Sequence, residues 1–204
     1  MPHTNENIFP VFHEILGRPE KESLLKQRAR VIWLSGLSGA GKTTLAKHLE
    51  ETLHRRGFLT QVLDGDNVRT GINNNLGFSD SDRFENIRRI AEVSKLFVDC
   101  GVITINCFIS PTEEIRELAR RIIGSDDFIE VYVNAPLDVC EDRDTKGLYS
   151  RARLGEIKNF TGISSPFEIP GNADIEIRTD LLTIEESVRQ LLELILPKIE
   201  YATS

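Results

Sequence analysis

Gly36-Leu37-Ser38-Gly39-Ala40-Gly41-Lys42-Thr43 fits G-x-x-x-x-G-K-[ST] at every fixed position. That spacing is built for phosphate. Glycines let successive backbone N–H groups curl around an anion. A helix opening at Lys42 turns its positive end on the same charge. The Lys42 ammonium reaches the terminal phosphate oxygens, and the Thr43 hydroxyl ligates Mg²⁺. The bland alternative is a glycine-rich turn with a chance lysine. Downstream stands Asp64-Gly65-Asp66-Asn67-Val68-Arg69. A carboxylate there could hold Mg²⁺ through water or take a proton from an attacking hydroxyl. It could equally make an Asx-turn with a helix cap. Both hold together if Asp64 caps and Asp66 reacts.

Arginines gather at Arg69, Arg83, Arg88 and Arg89. Arg88 and Arg89 are neighbours on one helical pattern, so not all four can face one ligand. A second basic run, Arg143, Lys146, Arg151, Arg153 and Lys158, is set against only Asp144 and Glu156 in a chain of net charge −7. The planar guanidinium fork grips phosphate or sulfate oxygens in pairs. The expected second ligand is therefore itself an anion.

These groups need elements to aim them. Val31-Ile32-Trp33-Leu34 reads as a buried strand feeding the glycine-rich turn. Residues 42–56 carry Leu45, Leu49 and Leu53 at helical spacing, with Gly57 placed to end the helix. Further strands are expected at 59–63, 102–109, 128–133 and 175–178. Further helices are expected at 82–100, 112–123, 137–143 and 183–199, with a short one within 18–30. Apolar strands alternating with helices give an α/β fold: three layers of P-loop type, a five-stranded parallel sheet with helices on both faces. Residues 144–171 break the rhythm, and an aperiodic stretch that long in a compact domain is usually functional, often a lid.

The chain has 204 residues, 40% hydrophobic and 28% charged, which suits one globular domain. Its acidic balance disfavours general nucleic-acid or anionic-membrane binding. Three cysteines, Cys100, Cys107 and Cys140, make an odd set with no metal spacing, so core thiols in a reducing cytoplasm are expected. No apolar stretch is long enough for a membrane span, and residues 1–30 contain no signal-peptide run. That segment is read as an N-terminal extension to a domain at 31–204, with Ile8-Phe9-Pro10-Val11-Phe12 able to pack on the domain surface. No Asn-Lys-x-Asp motif supports a GTPase, and Asp144-x-x-Gly147 is not at a strand end.

Together these blocks resemble the adenylyl-sulfate kinase family. The resemblance runs from about Val31 onward. It rests on 36–43, Asp-Gly-Asp-Asn-Val-Arg (64–69), Leu-Gly-Phe-Ser-x-x-Asp-Arg-x-Glu-Asn-Ile-Arg-Arg (76–89), Phe-Ile-Ser-Pro (108–111) and Lys-Gly-Leu-Tyr…Gly-Glu-Ile-Lys-Asn-Phe-Thr-Gly-Ile (146–163). Only the first block is generic. The resemblance implies phosphorylation of the ribose 3′-hydroxyl of adenosine 5′-phosphosulfate (APS) by MgATP, in a cytoplasmic homodimer. It implies an ATP site of Gly36, Leu37, Ser38, Gly39, Ala40, Gly41, Lys42, Thr43, Thr44 and Arg143. It implies an APS site of Asp66, Arg69, Phe78, Arg83, Asn86, Ile109, Ser110, Lys146, Leu148, Phe160, Thr161 and Gly162, with Phe78 and Phe160 sandwiching the adenine. Lys42 and Asp66 are the implied catalytic pair, Thr43 and Asp66 the implied Mg²⁺ contacts. Ser110 is a candidate phosphoserine, against the plainer reading of a turn serine before Pro111.

The chain departs from the family pattern at Ala40 and Thr43, where serine is usual, and at Thr112 and Glu113, where Tyr-Arg is usual; Arg116 keeps the later arginine. It is too short for an added sulfurylase-like domain, so a monofunctional kinase is expected. Two other readings compete: another small-molecule or nucleotide kinase on the same fold, and a regulator that binds nucleotide without turnover.

Overall fold

The structure is a computed structural model and describes residues 7–202; Met1–Glu6 of the expected extension and the last two residues lie outside the described residues. Five parallel strands form one sheet in the order β2-β3-β1-β4-β5. They are β1 (Val31–Ser35), β2 (Thr60–Asp64), β3 (Ile103–Cys107), β4 (Phe128–Asn134) and β5 (Ile175–Arg178). The helices are α1 (Arg18–Leu25), α2 (Lys42–Arg55), α3 (Gly65–Arg69), α4 (Asp80–Asp99), α5 (Glu113–Ile123), α6 (Leu137–Arg143), α7 (Leu148–Arg153) and α8 (Ile184–Ile199).

Strand period 2 divides the interior between the two faces of the sheet. In β1, Ile32 and Leu34 join Leu45, Leu49 and Leu53 of α2 and Leu191 and Ile195 of α8 in one core. Val31 and Trp33 join Ile87 and Ile90 of α4 and Ile115 and Ala119 of α5 in the other. Every β1 residue is buried, as a central parallel strand requires. The helices start where the sequence offers caps. Ser79 accepts from the Asp82 N–H, and Thr183 and Glu186 form a capping box for α8.

The expected elements are all present. The third strand is shorter than 102–109 because the chain turns away after Cys107 and enters a left-handed conformation at Ser110 (φ 46°). The 144–171 stretch contains α7. Helix α1 is fastened to the sheet, since the Arg18 guanidinium donates to Asp127, to Glu22 and to the Ala29 carbonyl.

Two expectations are corrected. Ile8, Phe9, Val11 and Phe12 do not pack on the domain but stand exposed. Cys100 is no core thiol, because it caps the end of α4 at the surface, whereas Cys107 and Cys140 are buried. Burial pushes the Cys107 thiol up to about 12 and raises Cys140 as well. Thiolate is the reactive form. An aromatic disulfide reagent should therefore titrate one thiol per native chain and all three after denaturation; two fast native thiols would contradict the burial.

Candidate active site

Strands β1, β2, β3 and β5 end on one side of the sheet, and their following turns surround a cleft of about 750 Å³. In an open parallel sheet the crevice beyond the carboxyl ends is where ligands bind. The loop 36–41 forms its floor. Gly36 has φ 146° and lies so close to β4 that an added Cβ would stand 2.2 Å from the Val133 carbonyl oxygen. Gly39 is similarly hemmed, 2.8 Å from the Cys140 carbonyl oxygen. Ser38, Gly39, Gly41, Lys42, Thr43 and Thr44 line the cleft. Leu37 instead borders a neighbouring hollow, and Gly36 and Ala40 serve through backbone alone.

Lys42 is buried, and its ammonium donates to the carbonyls of Gly36 (2.9 Å) and Leu37 (2.6 Å). Loss of water pulls it down to about 8. A phosphate offers this ammonium stronger partners than two loop carbonyls do.

The two carboxylates of the acidic turn have separate duties. Asp64 ends β2 and caps α3, one oxygen accepting from the Asp66 N–H (3.0 Å) and the other from the Thr43 hydroxyl (2.8 Å). Asp66, one residue into α3, is exposed and ion-paired with Lys146. Sequence reasoning gave Asp64 only the capping role. The rule that strand ends face the ligand could have singled it out. The Thr43 hydroxyl and Asp64 carboxylate are adjacent hard oxygen donors, which suits Mg²⁺ held mostly by phosphates and water. Among the described residues no cluster of three or more His, Cys, Asp or Glu could cage a metal by itself.

At the other end of the cleft the arginines sort themselves. Arg88 and Arg89 both bond Glu85, whose carboxyl they hold down at about 2. Arg69 and Arg83 line the cleft. Arg69 donates to the carbonyls of Leu76 and Gly77, and its guanidinium lies 4.4 Å from the centre of the exposed Phe78 ring. Arg83 donates to the Phe78 and Asn159 carbonyls and to the Thr161 hydroxyl, so it ties the Phe78 loop to the lid. Asn86 is buried at the cleft wall with its Oδ1 accepting from Asn73. Ile109 and Ser110 follow β3 into the same cleft.

The lid contributes Lys146, Leu148, Phe160 and Thr161. Gly162, expected beside them, does not reach the cleft; it packs on Leu37 and Leu137 and borders the neighbouring hollow. Phe160 is buried, its ring edge-on to Tyr149 at 5.0 Å. Tyr149 has no assigned role in the sequence reading, yet its hydroxyl donates to the Ser38 carbonyl and pins the lid to the phosphate loop. Thr179 was also missed; its hydroxyl donates to the Ala40 carbonyl, and Arg143 donates to Thr179 and Gly39. Arg151 and Arg153 pair with Glu156 and Glu141. The basic excess of the lid thus reaches the cleft only through Arg143 and Lys146.

The family model for adenylylsulphate kinase matches residues 28–178. The adenylyl-sulfate kinase of Bacteroides fragilis is 62% identical over 195 residues, covering 96% of each chain. That of Clostridium kluyveri is 52% identical, covering 91% of this chain and 93% of its own. The APS kinase of Mycobacterium tuberculosis, solved with AMPPNP and APS, superposes with a TM-score of 0.80 at 45% identity over 83% of this chain and 98% of that one. The family model spans most of the chain and the relatives match it over nearly their full length, so the chain belongs to the adenylylsulphate kinase family.

Proposed function

We propose that the protein transfers the γ-phosphoryl group of ATP to the ribose 3′-hydroxyl of APS, giving 3′-phosphoadenylyl sulfate and ADP. One observation carries the reading. A single cleft joins a phosphate loop at one end to Asp66, Arg69, Arg83, Asn86, Phe78 and Phe160 at the other. The bound APS of the Mycobacterium tuberculosis relative supports it.

In this reading Gly36 to Thr44 cradle the ATP phosphates, and Arg143, fixed on Thr179, covers the ATP base. Lys42 leaves the loop carbonyls for the β- and γ-phosphates and stabilises the charge carried in transfer. Mg²⁺, held by Thr43 and Asp64, would neutralise phosphate charge and align the γ-group. This replaces Asp66 by Asp64 as the carboxylate nearest the metal and leaves Asp66 free for the acceptor hydroxyl. Arg69, Arg83 and Lys146 face the phosphosulfate, with Asn86 and the backbone of Ile109 and Ser110. Phe78 and Phe160 flank the adenine, and Leu148 and Thr161 close over it. In-line transfer needs no covalent enzyme intermediate. The Ser110 hydroxyl is buried and accepts from the Trp33 indole, and the reading gives it no phosphoserine step. The reading includes a cytoplasmic homodimer, supported by the exposed apolar run Ile8, Phe9, Val11 and Phe12, which gives the chain a surface to bury. No helix among the described residues is long and apolar enough to cross a membrane.

The direct test mixes purified protein, MgATP and APS and follows ADP and the phosphorylated product together. Equal amounts of both support the reading. ADP without the product means hydrolysis or another acceptor; binding without either means a regulator.

The aromatic pair gives a second test. Phe78→Ala and Phe160→Ala should each weaken APS binding about 5- to 100-fold, the scale of one lost base stack. ATP affinity measured without APS should change less than about twofold, since neither ring is assigned to ATP. Only Phe160→Ala should lower Tm, because Phe160 also packs in a core and Phe78 is exposed. Loss of ATP affinity in Phe78→Ala would remove it from the acceptor side.

A further inference from the structure

Ser110 is one of three non-glycine residues with positive φ among those described, at 46°. An L-residue held there stores strain and persists only where its surroundings over-determine it. Two contacts do so. The Trp33 indole N–H donates to the Ser110 hydroxyl at 3.0 Å. The Arg116 guanidinium donates to the Ser110 carbonyl at 3.0 Å. Arg116 is itself held by Glu130 of β4, Nε to carboxylate 3.1 Å, with both side chains buried. Trp33 cannot drift, because Phe108 and Phe128 pack against its ring at 5.6 and 5.5 Å.

None of Trp33, Arg116 or Glu130 lines the cleft, yet all converge on the one turn of β3 that does. A buried indole N–H needs an acceptor. A buried arginine–glutamate pair seldom stabilises a fold more than apolar residues of equal volume would. Stability alone therefore accounts poorly for this cluster. What it fixes is direction. The Ser110 carbonyl is turned to Arg116 and the Ile109 carbonyl to the Gly36 N–H, and the N–H groups of Ile109 and Ser110 have no protein acceptor among the described residues. Two backbone donors at a cleft wall suit an anion.

We propose that Trp33 and Arg116 are positioning residues that hold the 109–110 backbone in the conformation that binds the acceptor. The proposal rests on the APS-kinase reading, and the acceptor's anionic group is the chemistry recognised. Trp33 and Arg116 act through Ser110 and touch no substrate.

The test is a double-mutant cycle on Trp33→Phe and Ser110→Ala in the full-length protein, with Arg116→Lys as a third variant. Trp33→Phe keeps an aromatic ring in the core while removing the N–H and part of the indole, so it is read beside its Tm and remains informative if Arg116→Lys fails to fold. Each single variant should raise KM for APS about 5- to 20-fold, the scale of one buried hydrogen bond. Both kcat and the Kd of ATP without APS should stay within about threefold on the same scale, since no contact to ATP is removed. The Trp33→Phe/Ser110→Ala double variant should be no worse than the weaker single, because both break one bond. Multiplying effects, equal losses toward ATP and APS, or an unchanged KM in folded Trp33→Phe would each overturn the proposal. Wild-type protein that turns over no APS would instead overturn the functional reading.

Discussion

Asp66→Ala should lower kcat for phosphoryl transfer by roughly 10²–10⁴, the usual scale for a general base. The loose transition state of phosphoryl transfer demands little proton removal before the γ-group departs. Much of the loss is therefore orientation of the 3′-hydroxyl, which places the expected value near the lower end of that range. The geometry separates Asp66 from its neighbour. Both oxygens of Asp64 are engaged, by the Asp66 N–H and by Thr43. Among the described residues the Asp66 carboxylate meets only Lys146. That pair is exposed and worth at most about 1 kcal/mol, so an incoming acceptor can displace it. Asp66→Asn keeps the size and an oxygen that can accept from the 3′-hydroxyl while losing charge and basicity, and should fall less far than Asp66→Ala. The check is kcat by simultaneous ADP and product quantitation at saturating APS. Turnover within tenfold of wild type would hand the role to another group.

Lys42→Met should cost about 10²–10³ in kcat, the loss seen when one preorganised donor to developing charge is removed. Methionine fills similar space without the ammonium. The ammonium also bonds the Gly36 and Leu37 carbonyls, so some loop order goes with it. Binding of an ATP analogue separates the two effects. A loop that merely loosened would lose analogue affinity and kcat alike, whereas a lost transition-state contact lowers kcat the more. Arginine should not rescue, because its wide planar fork has no room where Lys42 is buried. A Lys42→Met enzyme with near wild-type kcat would contradict the assignment.

Much of this site could be read before folding, because its strongest signals are local. The phosphate loop and acidic turn each lie within a few residues, and the strands feeding them are short β-branched runs closed by glycine or aspartate. Other features needed distance. Nothing near Tyr149 in sequence announces that its hydroxyl will meet Ser38, and α7, at six residues, is too short to show a period. Gly162 was placed by resemblance, which carries a motif but not the side of the chain that faces the ligand. The sorting of the arginines, by contrast, was available. Glu85 stands three and four residues before Arg88 and Arg89, the spacing at which helical side chains meet, and that alone removes both from the ligand.

The glycines of the phosphate loop are answerable to more than phosphate. Gly36 is forced by the Val133 carbonyl and Gly39 by the Cys140 carbonyl, both belonging to the protein's own scaffold. A descendant that abandoned catalysis would still be unable to replace them without displacing β4 or α6. Lys42 and Asp66 would be free to drift much sooner. In such a lineage the pair Gly36 and Gly39 would outlive the chemistry it advertises. Its presence reports that a chain folds this way, and the charged residues report whether the fold is still employed.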